Sequence, residues 1–158
     1  MKKIVIYASA HHRNTEKIAK IIADTIGAKL ISFDKLKSDD IDSADLIGIG
    51  SGVYYSLFHR GLINKIKDLN NFKDKEVFIF STAGMAKNTI FNNSHQHIKK
   101  LLKNKEAKIL GEFFSYGYDT NGILKFLGGI NKGRPNESDL KRAEDFSKKI
   151  LENKKTNI

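Results

Sequence analysis

Four short stretches carry the side chains best suited to chemistry. Ser9-Ala10-His11-His12-Arg13-Asn14-Thr15 places hydroxyls, an amide and three basic or polarisable side chains between an apolar run and a helix-forming segment. Hydroxyls and free backbone N–H groups at the positive end of a helix make a phosphate cradle. The competing use of Asn14 or Thr15 is ordinary capping of the first-turn N–H groups. The stretch contains no glycine, and neither GxGxxG nor GxxxxGK followed by Ser or Thr comes after any strand candidate, so a dinucleotide fingerprint and a P-loop are excluded.

Ser51-Gly52-Val53-Tyr54-Tyr55-Ser56-Leu57-Phe58-His59 is aromatic where a loop is expected to be polar. Aromatics on a strand-end loop suit stacking on a flat ring, with Gly52 allowing close backbone approach; alternatively Tyr54 and Phe58 tuck under the following helix. Ser81-Thr82-Ala83-Gly84-Met85 offers small residues and hydroxyls against which a ligand can lie. Residues 117–135, about 19 in number, form a loop long enough to be functional. Ile123, Leu124, Phe126 and Leu127 within it predict a short helical lid packed beside the site. His95 and His97, two apart on a helix, face apart and are not expected to hold a metal.

The elements that position these stretches alternate. Residues 3–8 (KIVIYA), 28–33, 44–50 (ADLIGIG), 76–81 (EVFIFS) and 107–116 are β-branched and aromatic runs typical of strands buried on both faces. Between them, 15–26 repeats apolar residues at Ile18, Ile22 and Ile26 and is closed by Gly27. Residues 34–43 leave room for little more than a helical turn. Leu57, Leu62, Ile63, Ile66 and Leu69 stripe another helix, 90–104 carries Ile98, Leu101 and Leu102, and 136–152 closes the chain. Five strands separated by helices predict an α/β fold with a doubly wound parallel sheet. In such a sheet ligands bind beyond the carboxyl ends of the strands, where all four stretches fall.

The chain has 158 residues, enough for one domain over 1–152 with a polar tail, 153–158, expected to fray. It has no cysteine, which excludes disulfides, thiolate metal sites and a catalytic thiol, so redox chemistry requires a bound cofactor. Lys+Arg number 28 against 18 Asp+Glu, a formal charge of +10. Only four of the basic residues are arginine (Arg13, Arg60, Arg134, Arg142), and no aromatic-basic interleaving accompanies them, so nucleic acid is not the expected partner. No run approaches the roughly 20 apolar residues of a spanning helix, and the apolar start is too short for a signal peptide. A cytoplasmic protein is expected.

Ile-Val-Ile-Tyr-Ala-Ser followed by Asn14-Thr15-Glu16-Lys17-Ile18-Ala19 resembles the flavodoxin signature, in which a strand ending in Tyr-x-Ser/Thr leads to a Gly-Asn-Thr loop around the FMN phosphate. Gly48-Ile49-Gly50-Ser51-Gly52-Val53-Tyr54-Tyr55 is similar to the loop that contacts the isoalloxazine, and Ser81-Thr82-Ala83-Gly84 to the second flavin loop. Gly117-Tyr118-Asp119-Thr120 and residues 128–137 resemble a short-chain subgroup. The resemblance implies a flavodoxin-like fold with strand order 2-1-3-4-5 and an FMN-dependent electron carrier serving redox proteins. The implied cofactor-binding residues are Ser9, His11, His12, Arg13, Asn14, Thr15, Ser51, Gly52, Val53, Tyr54, Tyr55, Ser81, Thr82, Ala83, Gly84 and Tyr118. The sequence departs from the family pattern in three ways. Its first loop is one residue longer, with His12 or Arg13 where glycine is expected; no tryptophan is available to stack on the flavin; and the charge is basic rather than acidic, which favours acidic partners and a less negative flavin potential. The alternative is a flavin enzyme of the quinone-reductase or protoporphyrinogen-oxidase type, since Val53-Tyr54-Tyr55 to His59-Arg60 resembles the loop of the latter, with His59 as its proton donor.

Overall fold

The apolar runs pair as strands because each can bury both faces, and the four-spaced stripes become the helices that cover them. The computed structural model describes residues 1–10, 12–85, 93–120, 124 and 126–156, with backbone alone for 154–156. In chain order the elements are β1 (Lys3–Ala8), α1 (Asn14–Ile26), β2 (Lys29–Ser32), α2 (Ser38–Asp42), β3 (Leu46–Tyr54), β4 (Leu57–Phe58), α3 (Arg60–Asp68), β5 (Glu76–Ala83), α4 (Ser94–Asn104), β6 (Lys108–Tyr116) and α5 (Glu137–Thr156). Five strands form a parallel sheet in the order β2-β1-β3-β5-β6, so the parallel strands run 2-1-3-4-5 as expected.

Alternation along each strand divides the core into two layers. Ile4, Ile6, Ile47, Ile49, Val77 and Ile79 pack with Leu62, Ile63 and Ile66 of α3 and Ile98 and Leu102 of α4. On the other face Val5, Leu46, Phe78, Phe80 and Phe113 meet Ile18, Ile22 and Ile26 of α1 and Ala143 and Ile150 of α5. Each fully buried phenylalanine or isoleucine contributes about 1.5–3 kcal/mol. The phenylalanines require glycine on the neighbouring strand. A Cβ on Gly48 would fall 2.4 Å from the Phe78 ring, and one on Gly50 2.0 Å from that of Phe80. The Gly-Ile-Gly run is therefore core packing rather than the beginning of a loop.

Four expectations are corrected. β3 continues through Tyr54, and β5 through Ala83, because backbone pairing of Ser51 with Ser81 and of Gly52 with Thr82 extends the sheet past the apolar runs. The aromatic stretch after β3 is a hairpin, Val53 and Tyr54 pairing antiparallel with Phe58 and Leu57, so Leu57 belongs to β4 and not to the stripe of α3. α5 extends past residue 152 to Thr156, in a segment with no helix breaker and with lysines that suit the negative end of the helix. Finally, the described part of 117–135 is closed by an antiparallel Asp119–Ile130 bridge and turned by Gly128 and Gly129 (φ 79° and 80°), with Leu124 in a helical turn, but two of the apolar side chains expected to pack beside the site do not. Phe126 and Leu127 are 88% and 74% exposed. Ile123 lies outside the described residues.

Candidate functional site

The link from β1 to α1 turns through two non-glycine residues in left-handed conformation, His12 and Arg13, both at φ 53°. Such conformations cost free energy and persist where the surroundings impose them, often at functional sites. Arg13 occupies the N-cap of α1 without a side-chain capping bond, and the first intrahelical bond runs from Lys17 N–H to Arg13 O at 3.1 Å. Neither Asn14 nor Thr15 caps the helix. The Asn14 amide donates to Tyr118 O at 2.8 Å, and the Thr15 hydroxyl lies 2.8 Å from that of Thr82. The first-turn N–H groups of α1 thus open at the carboxyl end of the sheet with the positive helix dipole behind them.

Two buried polar atoms beside this opening have no hydrogen-bond partner among the described residues: Ser9 Oγ and Asn14 Oδ1. Burying a polar atom without a partner costs on the order of 1–3 kcal/mol, so both suit a ligand that completes them. The first can donate to a phosphate, and the second can accept from a sugar-alcohol hydroxyl.

Asn14, Thr15, Gly52, Val53, Tyr54, Thr82, Ala83, Gly84, Tyr118 and Asp119 line one cleft over the ends of β1, β3 and β5. Nine of these ten are residues that the sequence placed in the site. Asp119 was missed as a site residue, although it adjoins Tyr118 and stood in the quoted motif. His12 sits at the rim, its Nε2 2.8 Å from Thr120 Oγ1 and its ring 4.5 Å from that of Tyr118. These contacts, with the Asn14–Tyr118 bond, fasten the 117–135 segment to the cradle.

The remaining candidates lie elsewhere. Arg13 forms a two-pronged pair with Glu16, both bonds at 2.6 Å, and this hydrogen-bonded guanidinium holds the Glu16 carboxyl below the usual carboxylate range. Ser51 is buried in the hairpin, donating to Gly52 O and accepting from His59 N–H. Ser81 is buried beneath the cleft, its Oγ 2.6 Å from His95 Nε2. Tyr55 stands at the hairpin tip, 99% exposed, in a turn whose central residues Tyr55 and Ser56 both have positive φ (48° and 64°). His11 lies outside the described residues. Of the aromatics in this stretch only Phe58 is fully buried, while the Tyr54 hydroxyl accepts from Ala10 N–H at 3.2 Å and so closes the cleft between β1 and β3.

The model of the flavodoxin domain matches residues 4–117, from β1 to the residue after β6. The chain belongs to the flavodoxin domain family. An uncharacterized protein of Methanocaldococcus jannaschii is 46% identical over 153 residues, covering 97% of this chain and 100% of that one. Among solved structures, a flavodoxin from the domain Archaea matches with TM-score 0.68 at 19% identity, covering 97% of this chain and 98% of its own. A short-chain flavodoxin associated with a bacterial microcompartment gives TM-score 0.72 at 17% identity, covering 97% and 99%. At these identities the structural likeness is one of fold. The flavodoxin domain here has, among its described residues, no helix long and apolar enough to cross a membrane and no group of three or more potential metal ligands.

Proposed function

We propose that the protein binds FMN in this cleft and carries electrons between redox proteins. The observation that carries the reading is the uncapped N-terminus of α1 beside the buried, unpartnered Ser9 hydroxyl and Asn14 amide oxygen. In this reading Ser9, the first-turn N–H groups of α1 and Thr15 hold the phosphate, and Asn14 meets the ribityl chain. Tyr54, Gly52, Ala83, Gly84 and Tyr118 flank the ring. Bound FMN would supply one- and two-electron transfer, which no side chain of a cysteine-free protein provides. The chain's own residues bind, orient and partly dry the ring, and the basic surface favours acidic redox partners. Titrating the protein with FMN tests the reading: quenching of flavin fluorescence and a shifted visible band at one equivalent are expected. Unchanged spectra would overturn it.

A flavin-dependent oxidoreductase is the second reading. It is favoured by His59, whose ring lies 6.0 Å from that of the cleft-lining Tyr54 and whose Nδ1 is buried without a described partner. Steady turnover of NAD(P)H with a quinone by the FMN-loaded protein, lost in His59→Ala, would favour it over the carrier.

A further inference from the structure

Beneath the cleft lies a chain of polar groups that FMN binding does not use. Ser81 Oγ is 2.6 Å from His95 Nε2, and His95 Nδ1 is 2.8 Å from Glu112 Oε2. Lys99 Nζ donates to the other oxygen of Glu112. The inner end is sealed: Ser81 is fully buried, and the His95 side chain is 3% exposed. At the outer end the side chains of Glu112 and Lys99 are 20% and 35% exposed. The chain therefore runs from under the cleft to solvent.

His95 adjoins the cleft on two sides. Ser81 precedes the cleft residue Thr82 on β5, and the His95 ring meets Phe58 edge-on at 5.6 Å, Phe58 being the hairpin partner of the cleft residue Val53. The charged and polar groups described around the imidazole are Ser81 from β5, Glu112 from β6 and Lys99 from its own helix, with the Phe58 ring from β4. The N-terminus of α4 opposes a positive charge on His95 and the Glu112 carboxylate favours one, so these two influences work against each other.

We propose that His95 is a positioning residue that takes up a proton when negative charge enters the cleft; this rests on the FMN reading. With Glu112 ionised, Nδ1–H donates to the carboxylate. In the neutral ring Nε2 then accepts from the Ser81 hydroxyl. One electron delivered to the flavin by a one-electron reductant adds one negative charge. One proton enters from solvent at the Glu112 and Lys99 end, and the ring ends with both nitrogens protonated, Nδ1–H donating to Glu112 and Nε2–H to Ser81 Oγ. Charge is balanced by this proton, and no covalent bond to the cofactor forms or breaks.

The test uses isotope-labelled, FMN-loaded protein. Imidazole NMR shifts are followed against pH in the oxidised and dithionite-reduced states, with His95 assigned by its loss in His95→Gln. The apparent pKa of His95 is expected to rise on reduction by about one unit, equivalent to a tenfold coupling. The midpoint potential of the wild type is expected to fall with rising pH between the two values, by up to 59 mV per unit for one electron and one proton. In His95→Gln that slope flattens while FMN affinity stays within about threefold. Glu112→Gln is the second variant, and it should move the sloping window to lower pH. An identical His95 titration in both redox states, or an unchanged slope in His95→Gln, overturns the proposal. Failure of FMN to bind shows in the preceding titration as unquenched fluorescence and removes the FMN reading itself.

Discussion

Ser9 separates a folding role from a ligand role. Its Oγ is buried and has no partner among the described residues, so Ser9→Ala removes a group that stabilises nothing in the free protein and relieves an unsatisfied hydroxyl. A hydrogen bond to a charged group contributes about 1.5–3 kcal/mol. Ser9→Ala should therefore leave the melting temperature of the free protein unchanged or slightly higher while weakening FMN binding by about 10- to 100-fold. Calorimetry of the free protein and a flavin titration check the two halves, and equal FMN affinity in the variant would remove Ser9 from the phosphate site. Much of this scale was legible in the sequence, because a phosphate cradle is made of residues close together in the chain. Ser9, Asn14 and Thr15 fall within one seven-residue stretch and need only a strand and a helix on either side. Ser51 and Ser81 were legible as hydroxyls near the site but not as buried ones, since their partners, His59 N–H and His95, are set by the hairpin and by α4. The role of His95 had one local signal: spaced three and seven residues before Ile98 and Leu102, it shares their buried stripe. Its contact with Glu112, 17 residues away, belongs to tertiary structure.

At the scale of elements, the parallel strands were visible because burial on both faces demands continuous apolar runs, and α1 because its stripe and its closing Gly27 agree. The β3–β4 hairpin was not visible. Its turn is Tyr55-Ser56, with both residues left-handed, whereas the usual signal for such a turn is Asn-Gly or Asp-Gly. Replacing the pair with Asn-Gly should stabilise the free protein by about 1 kcal/mol, raising the urea midpoint without changing its slope. If Tyr55 covers the flavin, the same variant loses FMN affinity; if Tyr54 alone does so, affinity holds. α2 gives a prediction in pH. Asp40 accepts from Lys29 Nζ at 2.9 Å and from Lys37 N–H at 3.1 Å, and these bonds, that to Lys29 foremost, hold its carboxyl below the usual range. A lowered folded-state pKa gives stability that is present above the unfolded value, about 3.9, and lost as pH falls through the folded one. Asp40→Ala should cost about 1 kcal/mol near neutral pH. That cost should shrink as the pH falls below the unfolded value of about 3.9, where the unfolded chain takes up the proton first, and vanish below the lower folded-state value. A cost independent of pH would assign Asp40 a packing role instead.

For the whole molecule the question is what a charge of +10 does. It is unevenly spread: α4 carries Lys99, Lys100 and Lys103 and no carboxylate, while the short α2 carries Asp39, Asp40 and Asp42. Adding electrons to a flavin places negative charge in the cleft, and a positive field there favours the reduced form. One unit charge about 10 Å away at an effective dielectric near 20 is worth roughly 1.7 kcal/mol, about 70 mV for one electron. The summed surface field is screened, since the Debye length falls from about 30 Å at 0.01 M salt to about 3 Å at 1 M. Raising salt across that range should therefore make the potential of the second electron more negative by some tens of millivolts. A protein with an acidic surface would shift the opposite way. Spectroelectrochemical titration of the FMN-loaded protein at the two ionic strengths measures the effect without any partner. A potential that does not move with salt would mean that the local groups of the cleft, Asp119 included, outweigh the lysines, and the basic surface would then act only in the encounter with acidic partners.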